Sequence, residues 1–163
     1  MKPATAARQG IFREMGFPSS RVWLGGAVAY SVARTYNLLA RQLAQLYARH
    51  GLTPASFNLL MLLKHGSDPD EMTQRMIGER LVVSASDMSG LIDRLERRGL
   101  VRRQPAGKDR RKKLLRITSQ GAKRLETVWP HHVDAISRMC HVLNEEESEQ
   151  LVASMAKLRV QCA

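Results

Sequence analysis

The stretch from Leu81 to Val101, LVVSASDMSGLIDRLERRGLV, decides how this chain is read. Ser84 stands where a helix begins, and Asp87, three residues on, is placed to reach back to the Ser84 amide in a capping box. Val83 and Met88 have the spacing of a hydrophobic staple. Met88, Leu91, Ile92 and Leu95 recur at helical steps and form one buried stripe. Gly99 suits the left-handed position beyond the last turn, where Leu100 can touch Leu95 as in a Schellman motif.

Upstream, Thr73 caps a short helix, Gln74 to Leu81, with Met76, Ile77 and Leu81 inward. Only a tight turn fits between Leu81 and Ser84, so the two helices make a helix-turn-helix. Before them, Thr53 and Pro54 open a helix whose apolar side is Phe57, Leu60, Met61 and Leu63, and Gly66 ends it. Ala27 to about His50 is a long amphipathic helix of roughly 36 Å, stopped by Gly51. Residues 1–25 are broken by Pro3, Gly10, Gly16, Pro18 and Gly25, which predicts a flexible or partly docked arm with Trp23 as its anchor.

Downstream, Val101–Gln104 and Leu114–Thr118 read as two short strands. The loop between them holds Lys108, Asp109, Arg110, Arg111, Lys112 and Lys113, and a basic hairpin directly after a helix-turn-helix is a wing. Thr118 caps a further helix carrying Leu125, Val128, Trp129, Val133, Ile136 and Cys140, which Pro130 is expected to kink or break. Asn144 caps a last helix with an acidic first turn, Glu145 to Glu147, and an apolar side of Leu151, Val152, Met155 and Leu158. The expected fold is mainly α with a small β-hairpin wing: a winged helix-turn-helix with long N- and C-terminal dimerisation helices. Residues 1–26 form the arm, 27–51 and 119–163 the helical dimerisation region, and 52–118 the DNA-binding region.

Charge narrows the function. Of the 23 residues from Arg94 to Arg116, eleven are Arg or Lys and two are acidic, a net +9 out of +11 for all 163 residues. Such focusing is the electrostatic mark of a polyanion binder. Aromatic residues are only 5% of the chain, which disfavours binders that stack single-stranded bases or RNA on exposed rings. An α-helix fits the major groove, and its N-terminal residues approach base edges. The face opposite the buried stripe carries Ala85, Ser86, Ser89, Gly90 and Asp93, small enough for a deep seat. Ser86 and Ser89 can bond bases or phosphates; Arg94, Arg97 and Arg98 suit phosphates or support of the wing. Arg110 and Arg111 can enter a narrow minor groove, where negative potential concentrates. Asp109, among five cations, is assigned to pairing with a nearby Arg and orienting the loop, and Asp87 to capping.

These residues resemble the MarR-type regulators. Leu81 to Val101 looks like that family's recognition-helix signature, and Asp109-Arg110-Arg111 with Leu114 to Thr118 and Gly121 looks like its wing signature. The resemblance spans roughly Ala27 to Arg159. It implies a homodimeric winged-helix repressor or activator whose DNA affinity a small ligand often changes. By position it makes Ser84, Ser86 and Ser89 groove-side residues and Arg111 the wing-tip arginine paired with Asp109. Ser89 and Gly90 stand where members often have Thr or Arg, so the operator sequence does not carry over from relatives. With Lys108 and Lys112, the expected DNA-binding set is Ser84, Ser86, Ser89, Arg94, Lys108, Arg110, Arg111 and Lys112. The long helices outside the winged region are expected to hold two reading heads about one DNA turn apart, on a palindromic site.

For a small-molecule effector of aromatic type, the candidate lining is Tyr36, Tyr47, Arg49, His50, Met61 and His65. Cys140 lies on an apolar stripe and is expected to be buried and inert; Cys162 is terminal. His131 and His132 are adjacent and point to different helix faces, and no His-x-x-x-His pair occurs, so no metal site and no cofactor are expected. No catalytic triad, paired-carboxylate motif, P-loop or dinucleotide fingerprint is present, and an enzyme is not expected. Two distant cysteines, no apolar run of signal-peptide length and none long enough to span a bilayer predict a cytoplasmic protein away from membranes. Two alternatives stay open: a winged-helix adaptor for an acidic protein, and a redox- or metal-responsive regulator using Cys140.

Overall fold

The computed structural model describes residues 3–18, 22–67, 71–81, 85–106 and 109–162. Its elements are α1 (Pro3–Glu14), α2 (Leu24–Arg49), α3 (Pro54–His65), α4 (Gln74–Leu81), α5 (Ala85–Arg97), β1 (Val101–Ala106), β2 (Asp109–Ile117), α6 (Ser119–Cys140) and α7 (Glu145–Cys162). They fall into two compact units, Met1–Pro54 and Ala55–Ala163.

In the first unit the expected arm is a helix. Ile11 and Phe12 of α1 are buried with Ala27 of α2, and Val22 and Tyr30 pack against them. The Phe12 ring meets Trp23 and Tyr30 edge-on, with centroids 5.3 and 5.4 Å away. Phe12 is 1% exposed and Trp23 54%, so Phe12 is the anchor and Trp23 covers it from outside. Glycine hides this helix from a periodicity reading, because Gly10 costs it only about 1 kcal/mol against the apolar pair that follows. Along α2, Leu24, Val28, Val32 and Tyr36 follow one another at intervals of four and all stay exposed. At its far end Tyr47 is buried, which pushes its phenol up to about 12.

The second unit carries the helix-turn-helix and the hairpin. α3 buries Phe57, Leu59, Leu60 and Leu63. Thr73 caps α4 by accepting the Met76 amide at 3.3 Å, and α4 buries Ile77. Met88, Leu91, Ile92 and Leu95 of α5 are buried, as their spacing predicts. Gly99 takes φ +67°, a conformation that favours glycine, and the Leu100 amide donates to the Leu95 carbonyl at 2.9 Å. The Ser84 cap and the Val83 staple lie outside the described residues.

β1 and β2 pair antiparallel from Val101↔Ile117 to Pro105↔Lys113. The Leu115 amide also donates to the Met72 carbonyl at 2.8 Å, and Thr73 bridges Leu114. The pairing runs further than expected: β1 continues to Ala106, and β2 already begins at Asp109. Strand pairing uses the backbone, so charged side chains do not end it, and Lys and Arg are well suited to exposed strand edges.

Thr118 joins three elements. Its hydroxyl accepts the Gly121 amide at 3.0 Å and donates to the Gly99 carbonyl at 2.6 Å, and its amide donates to the Leu100 carbonyl at 3.1 Å. A side chain on Gly121 would meet the Leu100 carbonyl oxygen at 2.1 Å, so only glycine lets α6 start there. Of the kink or break expected at Pro130, the break does not occur, and α6 runs on through it. Pro130 is exposed, so the hydrogen bond it forfeits falls on a side that solvent can satisfy. Asn144 and Glu147 form a reciprocal capping box at 3.0 and 2.9 Å at the start of α7. α7 buries none of its described residues and leaves Leu151, Val152, Leu158 and Val160 exposed. Among the described residues no helix is long and apolar enough to cross a membrane.

Candidate nucleic-acid interface

With its apolar stripe committed to the core, α5 turns Gly90, Asp93, Arg94 and Arg97 outward. These residues and Glu96 line a shallow depression of about 490 Å³. Nothing lies closer than 3.4 Å to where a Gly90 side chain would start, and that neighbour is the Arg94 guanidinium. Arg94 is exposed, and Ser89 is half-buried on the flank of α5. The Ser89 hydroxyl accepts a hydrogen bond from Gln74 Nε2 at 2.6 Å, a partner the sequence reading did not assign.

Asp93 and Glu96 place two carboxylates on this outer face, and one guanidinium bonds both. Arg103 on β1 donates to Asp93 at 2.6 Å and pairs with Glu96 through its other terminal nitrogen. Its amide also donates to Glu96, at 3.1 Å. Burial alone would lower the Arg103 guanidinium, but the bonds to Asp93 and Glu96 outweigh it and raise it above its ordinary value. Arg103 thus binds the reading helix to the first wing strand and offsets one of the two negative charges that would face a polyanion. Sequence reasoning counted Arg103 only as one more cation. The spacing of Asp93 and Glu96 on adjacent helical turns was the available signal.

Of the remaining expected DNA contacts, Ser84 and Lys108 lie outside the described residues. The backbones of Ser86, Asp109, Arg110, Arg111 and Lys112 are placed, but their side chains lie outside the description, and so does the expected Asp109–Arg111 pair. Ser86 is in the first turn of α5. Asp109, Arg110, Arg111 and Lys112 are on β2, not in the open loop that was expected. Pro105 faces Lys113 but Ala106 faces Asp109, so Arg110, Arg111 and Lys112 bulge out between two paired positions. Proline has no amide proton to continue a ladder, and the irregularity follows it.

The candidate effector residues belong to both units. Tyr36 is 69% exposed, Tyr47 is buried, Arg49 is exposed and His50 half-buried, all in the first unit. In the second unit, Met61 and His65 line a cleft of about 430 Å³ with Lys64, Leu125, Glu126 and Trp129. Lys64 pairs with Glu126 across this cleft and holds its carboxyl below the ordinary range. His132 lies beside the cleft residues, with ring centroids 4.8 Å from Phe57 and 5.4 Å from Trp129, and burial lowers its imidazole. Cys140, expected to be buried, is exposed, because it falls on the last turn of α6, beyond the part that packs on the core. Among the described residues no three His, Cys, Asp or Glu side chains could hold one metal ion.

A sequence model of the MarR family matches residues 50–112. The HTH-type transcriptional regulator MhqR of Bacillus subtilis is 28% identical over 127 residues, covering 78% of this chain and 86% of that protein. The HTH-type transcriptional repressor MdtR of the same organism is 31% identical over 132 residues, covering 80% and 83%. Among solved structures, AbsC of Streptomyces coelicolor, a MarR family transcriptional regulator, superposes with a TM-score of 0.76 at 28% identity, over 86% of this chain and 97% of that one.

Proposed function

The chain belongs to the MarR family of transcriptional regulators, and from that premise we propose that it is a homodimeric repressor that binds a palindromic operator in double-stranded DNA and responds to a small molecule. One observation carries the reading: α5 commits every apolar side chain of its stripe to the core and leaves an arginine-flanked face outward, its Asp93 and Glu96 both bonded to Arg103, beside a cationic hairpin. In this reading Ser84, Ser86 and Ser89 approach the major groove and Arg94 a phosphate. Lys108, Arg110, Arg111 and Lys112 approach the backbone and the adjacent minor groove, with Asp109 orienting the wing. The unburied α7 and the exposed stripe of α2 support a second copy as partner, since neither satisfies its apolar side within one chain. Two recognition helices would then stand roughly 34–36 Å apart. We place the protein in the cytoplasm, where its DNA is.

The cleft bordered by Met61, His65 and Trp129 is the effector site in this reading. Its apolar walls and the Lys64 ammonium suit an aromatic or otherwise apolar anion, which would compete with Glu126 for Lys64.

The decisive measurement is binding to a duplex from the gene's own promoter, against a scrambled duplex, over a range of salt. A dimer making six to ten phosphate contacts loses about 10³–10⁵ in affinity between roughly 50 and 200 mM salt and keeps its preference for the promoter duplex. Equal affinity for both duplexes, or no salt dependence, overturns the reading. A monomer in light scattering removes the palindrome.

A further inference from the structure

Gln74 is the first residue of α4, and Ser89 lies in the second turn of α5. Their side chains, fifteen positions apart in sequence, meet at 2.6 Å, with the Gln74 amide as donor and the Ser89 oxygen as acceptor. Both residues are half-buried, so each keeps an open side. A serine hydroxyl left alone rotates, donates or accepts as required, and so discriminates poorly between bases. Ser89 is not left alone. An N–H already points at its oxygen, so its own proton must turn away from Gln74.

We propose that Gln74 is a specificity-determining residue: its N–H fills one of the two lone pairs of the Ser89 oxygen and turns the Ser89 proton outward, which favours a base-edge acceptor over the amino group of cytosine. The accepted partners are guanine O6 or N7, adenine N7 and thymine O4, while cytosine presents only its N4 donor in the major groove. Gly90, the next residue, carries no side chain, and the group nearest its Cβ position is the end of the flexible Arg94 side chain at 3.4 Å, so a base edge can come close on this side of α5. The inference rests on the reading that α5 enters the major groove.

The same chemistry supplies the test. In Gln74→Glu an isosteric carboxylate can only accept, so the Ser89 proton turns inward and its oxygen is presented to the groove as an acceptor. A carboxylate in the first turn of α4 is favourable to the helix, so the variant should fold. Gln74→Ala frees the hydroxyl, and Ser89→Ala removes it. Each protein is used to select duplexes from a pool with randomised half-sites, at one fixed salt concentration, and the bound fraction is sequenced.

The wild type should deplete cytosine about fivefold at one position per half-site, the size of one net hydrogen bond. Gln74→Glu should shift that same position towards cytosine or adenine, whose amino groups can donate, and Gln74→Ala and Ser89→Ala should flatten it. Other positions should keep their profile. A wild-type consensus that persists unchanged in Gln74→Glu and Gln74→Ala overturns the inference and leaves groove reading intact. The same holds if affinity falls uniformly with no change in profile, which would put Ser89 on a phosphate. A wild-type pool with no enriched sequence removes groove reading and this inference together.

Discussion

Arg103 holds Asp93 at 2.6 Å while its other terminal nitrogen holds Glu96, so one guanidinium on a wing strand ties down two carboxylates of the reading helix and offsets one of their two charges. The Arg103 side chain is 24% exposed, so solvent screens these pairs in part. Replacing Arg103 with Ala should cost about 1–2 kcal/mol of stability, read as a shift in the urea midpoint. It should also weaken duplex binding by about tenfold, since two uncompensated anions would then lie within a Debye length of phosphate. Adding Asp93→Asn and Glu96→Gln should recover most of the affinity but not the stability. If affinity does not recover, the loss comes from a displaced wing and not from exposed charge.

The first unit offers a contrast between two aromatic residues. Phe12→Ala should destabilise by about 3 kcal/mol, the cost of emptying a buried phenyl site. Trp23→Ala removes a half-exposed ring and its edge contacts and should cost about 1 kcal/mol. Thermal melts of the two variants decide it; the reverse order would mean that Trp23 is the anchor after all.

His132 gives stability a pH dependence of definite sign. Burial lowers its folded-state value below the ordinary 6.5, so below that value the unfolded chain binds more protons than the folded one. Its contribution is complete above about pH 6.5 and is lost as the pH falls through the folded-state value. His132→Phe keeps a ring between Phe57 and Trp129 and should flatten this part of the profile. Urea midpoints from about pH 5 to pH 8 test it, and an identical slope in the variant would assign the dependence to other groups.

Trp129 lines the cleft, and the chain has one other tryptophan, Trp23. In Trp23→Phe, fluorescence reports on the cleft alone. A panel of aromatic carboxylates should include members that change Trp129 emission saturably and release the promoter duplex at matching concentrations. Lys64→Met should weaken both effects by about tenfold, as expected for a lost charge-assisted hydrogen bond. Release without a change in emission would place the effector elsewhere.

Much of the winged helix was legible because several local signals agreed over the same residues. Met88, Leu91, Ile92 and Leu95 gave the face of α5, and Gly99 with Leu100 gave its end, both as the structure has them. The bounds of α4 and the Asn144 cap were equally readable. What escaped depends on contacts between distant parts of the chain. Phe12 has no periodic neighbours on α1 and declares itself only against Ala27 and Tyr30. Arg103 was one arginine in a cationic run until the hairpin brought it to Asp93 and Glu96. The Gln74–Ser89 bond depends on how two helices face each other, which neither helix encodes alone. A break at Pro130 was read from an average tendency that exposure on one side of α6 overrides.

The bulge at Arg110, Arg111 and Lys112 bears on how cheaply a ligand can be gripped. These three residues are tethered by strand pairing on both sides, at Asp109 and at Lys113. A free basic loop would surrender about 1–2 kcal/mol of backbone freedom per residue on being fixed against a polyanion. Here part of that entropy has already been surrendered during folding, so more of the attraction between cation and phosphate is left to appear as grip.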